Sequence, residues 1–112
     1  NTAGFGGGGI QLQNHAKLFL NNVVLKNNTA AYGDKSGLGG GGYFCGDDVH
    51  ANITNSQVLN NEANEEYNSM GGGLHIGYCW VGNNINLPTQ ATATVHVQGS
   101  TISNNVAGAS GG

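Results

Sequence analysis

The sequence has no arginine, and charged residues fill only 8% of its 112 positions. Its three lysines (Lys17, Lys26, Lys35) are scattered, and the formal net charge is −3. No basic patch can track a phosphate backbone, so nucleic acid is not an expected partner. There is a single proline, and the 21 glycines follow no Gly-X-Y period, which excludes collagen. No stretch approaches the roughly 20 apolar residues of a membrane span. Helix-favouring runs of Ala, Glu, Lys and Leu are missing. Asparagine and β-branched residues are plentiful instead, a composition suited to strands and turns rather than to disorder.

What the chain does contain is a phrase stated three times. Gly7-Gly8-Gly9-Ile10, Gly40-Gly41-Gly42-Tyr43 and Gly71-Gly72-Gly73-Leu74 each place three glycines before an apolar residue. The last glycines are 33 and 31 residues apart, a period that marks a repeat architecture. A second phrase follows each of these: Ala16 to Asn22, Val49 to Asn55 and Ala93 to Gly99. Its alternate positions (Leu18/Ala51/Val95 and Leu20/Ile53/Val97) are apolar or small in every copy, and those between are mostly polar, with Phe19 the exception. Alternation of this kind predicts a strand buried on one face. A third phrase, at Leu25 to Ala30, Val58 to Ala63 and Ile102 to Ala107, closes each unit with an Asn-Asn pair.

Three short strands per unit, separated by Gly or Asn corners, predict one coil of a parallel β-solenoid, with coils about 4.8 Å apart. The expected inward columns are Ile10/Tyr43/Leu74, Leu12/Cys45/Ile76, Leu18/Ala51/Val95, Leu20/Ile53/Val97 and Leu25/Val58/Ile102. Asn27, Asn60 and Asn104 are expected to form an amide ladder. Asn22, Asn55 and Gly99 share a corner where left-handed backbone is easily reached. One domain, 1–112, is expected, with coils at 6–38, 39–70 and 71–110 and an insertion loop at 77–90. Asn1-Thr2-Ala3 repeats Asn28-Thr29-Ala30, and Gly111-Gly112 stands where a further glycine phrase is due. The expectation is a segment cut from a longer array.

A glycine run with an apolar strand, an alternating strand, and then apolar-x-Asn-Asn-x-Ala resembles the right-handed parallel β-helix repeats of the pectin-lyase-like superfamily. The resemblance is closest to the repeats of polymorphic outer-membrane proteins and autotransporter-type adhesins. It implies an all-β, right-handed parallel β-helix, in keeping with the handedness of parallel crossovers. Its motifs are structural and imply little about activity. Relatives that cleave acidic polysaccharides use a calcium-binding aspartate cluster and a basic residue, usually arginine, and that apparatus is not visible here.

Chemistry-bearing residues are few. Asp47-Asp48 and Glu65-Glu66 are adjacent pairs, so on a strand each pair would point to opposite faces rather than across a bond, as glycosidases require. A solvated turn is the expectation at Gly46-Asp47-Asp48. His50 and His96 are expected to face outward on neighbouring coils, with no third ligand repeating beside them. No catalytic group, metal or cofactor is expected. Cys45 and Cys79 lie 34 residues apart, about one coil, which suggests a staple between coils. With Cys45 aligned to Ile76, however, Cys79 falls about 10 Å along the strand, beyond the roughly 7 Å Cα limit of a bridge. The bridge then needs the chain to curl back after Gly77, and a buried free Cys45 is the alternative.

Asn52-Ile53-Thr54 and Asn27-Asn28-Thr29 are the two N-glycosylation sequons, and Asn52 is expected to point to solvent. Tyr78 and Trp80 in the insertion would suit a sugar-stacking platform. The functional expectation comes from the ends of the stack, where open strands and apolar columns call for continuation. It is an extracellular structural module of a cell-surface stalk, adhesin or filament. Such a module would continue in the same chain or associate end to end, and its wall would carry glycans or contact polysaccharide. A carbohydrate-active enzyme and a carbohydrate-binding module working through Trp80 are the alternatives.

Overall fold

The computed structural model describes residues 1–4, 6–31, 37–64, 69–77, 79, 92–108 and 111. Thirteen strands occur among them: β1 (Thr2–Ala3), β2 (Ile10–Gln13), β3 (Lys17–Asn21), β4 (Val24–Lys26), β5 (Thr29–Ala30), β6 (Gly42–Cys45), β7 (His50–Thr54), β8 (Gln57–Leu59), β9 (Glu62–Ala63), β10 (Leu74–Gly77), β11 (Thr94–Gln98), β12 (Thr101–Ser103) and β13 (Val106–Ala107). No helix is present among the described residues. Every pairing is parallel, and the strands form four sheets in the orders β10-β6-β2, β11-β7-β3, β12-β8-β4 and β1-β5-β9-β13. The chain thus lays down three tiers, β2–β5, β6–β9 and β10–β13, with each strand of the middle tier bonded to its equivalents above and below. The arrangement is all-β and compatible with a β-solenoid.

Each tier has four short strands rather than the three expected, because Thr29-Ala30, Glu62-Ala63 and Val106-Ala107 pair as strands of their own. The breaks between strands are set by left-handed residues. Asn22 (φ 58°), Asn55 (φ 49°) and Gly99 (φ 57°) end the second strand of each tier, and Asn27, Asn60 and Asn104 (φ 52–55°) end the third. Asparagine and glycine reach this region at least cost, so their placement determines where extended backbone stops.

Leu20, Ile53 and Val97 are direct register partners, as are Leu18, Ala51 and Val95. Leu25, Val58 and Ile102 stack likewise in the third sheet. The first sheet departs from expectation by one residue in its middle tier. Ile10, Gly42 and Leu74 are partners, followed by Gln11/Tyr43/His75, Leu12/Phe44/Ile76 and Gln13/Cys45/Gly77. The glycines that stack are Gly7, Gly39 and Gly71, all at φ 64–66°, and Gly6, which opens the first run, pairs instead with Leu38. The first two runs each have four glycines, but the middle one is set a residue later, so Gly42 stands opposite Ile10 and Leu74 and enters the strand at an inward position. Phe44 fills the space this leaves: a Cβ on Gly42 would lie 3.0 Å from Phe44 Cζ. Tyr43 and Cys45 are thereby turned to the opposite face of the sheet.

Two apolar clusters result. The main one joins Leu12, Leu20, Phe44, Val49, Ala51 and Ile53 between the sheets. The second joins Leu38, Tyr43 and Cys45, with Cys79 packed against it.

The amide ladder is also displaced by one residue. Asn28, Asn61 and Asn105 form it, not Asn27, Asn60 and Asn104, which lie exposed at the corner. Asn28 donates through its backbone N–H (3.0 Å) and its Nδ2 (2.9 Å) to Asn61 Oδ1. Asn61 repeats both bonds to Asn105 Oδ1, at 2.9 and 3.0 Å. Spare amide hydrogens bond to carbonyls of the tier before: Asn61 Nδ2 to Leu25 O and Asn105 Nδ2 to Val58 O. A second, hydroxyl ladder stands at the preceding corner, where Val23 N–H donates to Ser56 Oγ and Ser56 N–H to Ser100 Oγ, both at 3.0 Å. Corners that strands alone would leave with unpaired donors are satisfied in this way.

Candidate functional site

The described residues that could do chemistry or meet a partner lie in three places: a charged corner, the outward face of the β3-β7-β11 sheet, and the open side of the third tier.

The corner precedes the second strand of each tier. Asp48 (φ 53°) and His15 (φ 61°) both adopt left-handed backbone there, which turns their side chains toward each other across two tiers. Asp48 Oδ1 is 3.0 Å from His50 Nε2, and Asp48 Oδ2 is 3.6 Å from His15 Nδ1. The bond from His50 is the largest influence on the carboxyl and, with that from His15, holds it below 3.8 against desolvation. The third tier reaches the same corner through Thr92, whose Oγ1 accepts from Asp48 N–H at 2.7 Å and donates to Asp47 Oδ1 at 3.4 Å. Asn14 Oδ1 accepts from Asp47 N–H. These bonds tie all three tiers at one edge. Among the described residues, no group of three or more His, Cys, Asp or Glu side chains is arranged to hold a metal ion.

The sequence predicts a solvated turn at Gly46-Asp47-Asp48, and the meeting of His15 with Asp48 was not foreseen. The available signal was that both fall just before the second phrase of their units.

The β3-β7-β11 sheet presents three outward rows: Lys17/His50/Thr94, Phe19/Asn52/His96 and Asn21/Thr54/Gln98. Phe19 is 76% exposed, an apolar ring on an otherwise polar face. His50 and His96 share this face two positions apart, as expected.

Cys45 and Cys79 are joined in a disulfide with a Cα–Cα separation of 4.8 Å. Cys45 pairs in register with Gly77, not Ile76, so Cys79 follows its partner by two residues and lies within bridging distance. On the same face the Tyr43 and His75 rings lie 5.5 Å apart. Burial pushes the His75 imidazole below 6.5.

Of the two sequons, Asn52 is half-buried on the outward face. Asn27 is exposed at its corner rather than inward, because the ladder belongs to Asn28. Tyr78 and Trp80, with Glu65 and Glu66, lie outside the described residues. The insertion itself is placed by register: paired positions are 32 residues apart between β6 and β10 but 44 apart between β7 and β11.

No protein-family model, curated protein or solved structure matches the chain. What the molecule offers a partner must therefore be read from its surfaces, and the third tier is the most incomplete of them. Phe44, Ile53 and Val58 of the middle tier are 0% exposed, whereas their register partners Ile76, Val97 and Ile102 are 45%, 44% and 44% exposed. The ladders end here as well. In the first two tiers, the corner N–H groups of Val23, Asn28, Ser56 and Asn61 each donate to a side-chain oxygen of the next tier. The equivalent N–H groups of Ser100 and Asn105 have no such acceptor among the described residues.

Among the described residues no helix is long and apolar enough to cross a membrane. None of the outward rows carries a basic cluster.

Proposed function

We propose that this chain is a structural repeat module, a stretch of right-handed parallel β-helix that works by being stacked. Its setting in this reading is an extracellular stalk, adhesin or filament. The observation that carries the reading is the mismatch between the middle and third tiers at equivalent positions. A sheet edge with open backbone groups and an apolar cross-section is a template for another strand set. The third tier asks for something specific: apolar side chains over Ile76, Val97 and Ile102, and side-chain oxygens over the N–H groups of Ser100 and Asn105. A further tier of the same repeat, with asparagine and serine at those corners, supplies both. Low charge on the outward rows favours close association of neighbouring modules. The disulfide suits an oxidising compartment.

The test is assembly. Sedimentation and negative-stain microscopy of the chain across a wide concentration range should show concentration-dependent end-on oligomers. Val97→Lys would place a charge in the exposed column and should abolish them while leaving the far-ultraviolet circular dichroism intact. Discrete monomers at every concentration, or oligomers indifferent to Val97→Lys, would remove the support for stacking.

A further inference from the structure

We infer that Asn52 is an N-glycan attachment site whose first sugar rests on the ring of Phe19. The two residues are direct register partners in adjacent parallel strands and project from the same face. Equivalent side chains on such strands stand about 4.8 Å apart. Phe19 is the one residue that breaks the polar alternation of the outward face, and it is 76% exposed. Its ring contributes nothing to either apolar cluster. The partner position across the sheet is the acceptor of Asn52-Ile53-Thr54, and the Asn52 side chain makes no hydrogen bond among the described residues. Its half-buried side chain is thus uncommitted to the protein and stands beside an exposed aromatic ring. The apolar face of an N-acetylhexosamine fits such a ring, since aromatic surfaces offer large contact area at little entropic cost. The disulfide between Cys45 and Cys79 belongs to the same class of compartment, the secretory pathway, in which sequons are modified.

The covalent step is a group transfer without redox change. The Asn52 amide nitrogen attacks the anomeric carbon of a polyprenyl-pyrophosphate-linked oligosaccharide. The new C–N bond forms as the C–O bond to pyrophosphate breaks, the pyrophosphate departs with the electron pair, and one amide proton is lost to solvent. Asn27 presents a contrast: it sits exposed at a left-handed corner, and its equivalents in the other tiers are Asn60 and Asn104 rather than an aromatic residue.

The experiment uses the whole chain made in a eukaryotic secretory host, with Thr29→Val removing the second sequon throughout. Intact mass before and after enzymatic release of N-glycans reads occupancy of Asn52. Thermal melts then compare the glycosylated protein, the protein trimmed to a single N-acetylglucosamine, and the fully deglycosylated protein. Asn52 should be occupied, and the glycan should raise Tm by about 3–6 °C. The rise should survive trimming to one sugar, vanish in Phe19→Ser and return in Phe19→Tyr. Without glycan, Phe19→Ser should melt within a degree or so of its parent, because the ring is exposed. An unoccupied Asn52 would overturn the assignment, and so would a Tm increment of equal size in Phe19→Ser.

Discussion

The middle and third tiers use strands of the same lengths and the same serine and asparagine at Ser56/Ser100, Asn60/Asn104 and Asn61/Asn105, yet one is a core and the other a surface. Phe44, Ile53 and Val58 are enclosed because tiers lie on both sides of them, while Ile76, Val97 and Ile102 have a paired strand on one side only among the described residues. Burial in this architecture is therefore a property of rank in the stack more than of residue type. Hydrogen bonding follows the same rule, since each ladder asparagine or serine serves the N–H of the tier before it. An inner tier is complete in both respects and the third tier in neither.

The sharpest way to break this comparison is to truncate equivalent residues. Phe44→Ala should cost about 3–5 kcal/mol, because the ring fills the space opposite Gly42 and its removal leaves a cavity among closely packed neighbours. Ile76→Ala, one tier away in the same column, should cost about 1 kcal/mol or less, since nearly half of that side chain is already in water. Urea unfolding of the two variants measures both. Equal costs would mean that something covers the third tier in solution.

The ladders offer a second, smaller contrast. Asn61→Ala strands the Asn28 backbone N–H, takes one of the bonds to the Leu25 carbonyl, and removes a donor to Asn105. With about 1–3 kcal/mol lost per stranded buried group, it should be clearly destabilising. Asn105→Ala likewise strands the Asn61 backbone N–H, but it loses bonds to one tier rather than two and should cost less. If the order were reversed, the acceptor-to-next-tier logic that defines the open side would be wrong.

How much of this could be read from residues alone depends on where the sequence breaks its own symmetry. The second and third strands were legible because apolar and polar positions alternate and the copies differ in identity: Leu20, Ile53 and Val97 cannot be mistaken for their polar neighbours. The first strand was not, because the four glycines of the middle run sit one residue later than the four of the first, and a run of identical residues carries no register. Only the left-handed backbone at Gly7, Gly39 and Gly71 resolves it, and with it the facing of Tyr43 and Cys45. The ladder failed for a related reason. In Asn27-Asn28 both residues suit their places, one as a left-handed corner and the other as a buried amide, and composition cannot say which is which. Phe19 was visible as an exception to alternation, but its meaning depends on Asn52, 33 residues away. The pairing of Asp48 with His15 is likewise long-range. Both depend on tier-to-tier alignment, which local sequence does not encode.

Titration gives the smallest expected effect and probes the third tier directly. His75 stands beside Tyr43 on the face opposite the main core, and burial lowers its pKa from 6.5. In the unfolded chain the imidazole takes up its proton near 6.5, whereas the folded protein resists doing so until the pH is lower. The unfolded state therefore binds more protons as pH falls below 6.5, and folding stability contributed by neutral His75 is full above that value and declines below it. His75→Gln should flatten this part of the profile between pH 7.5 and 5.5, measured as the difference between variant and parent in urea unfolding, so that the exposed Asp48 corner cancels. A tier stacked over β10 would bury His75 further and steepen the decline, so the profile should be steeper at concentrations where oligomers form than in dilute monomer. An identical slope in both would place the contacting surface away from the third tier.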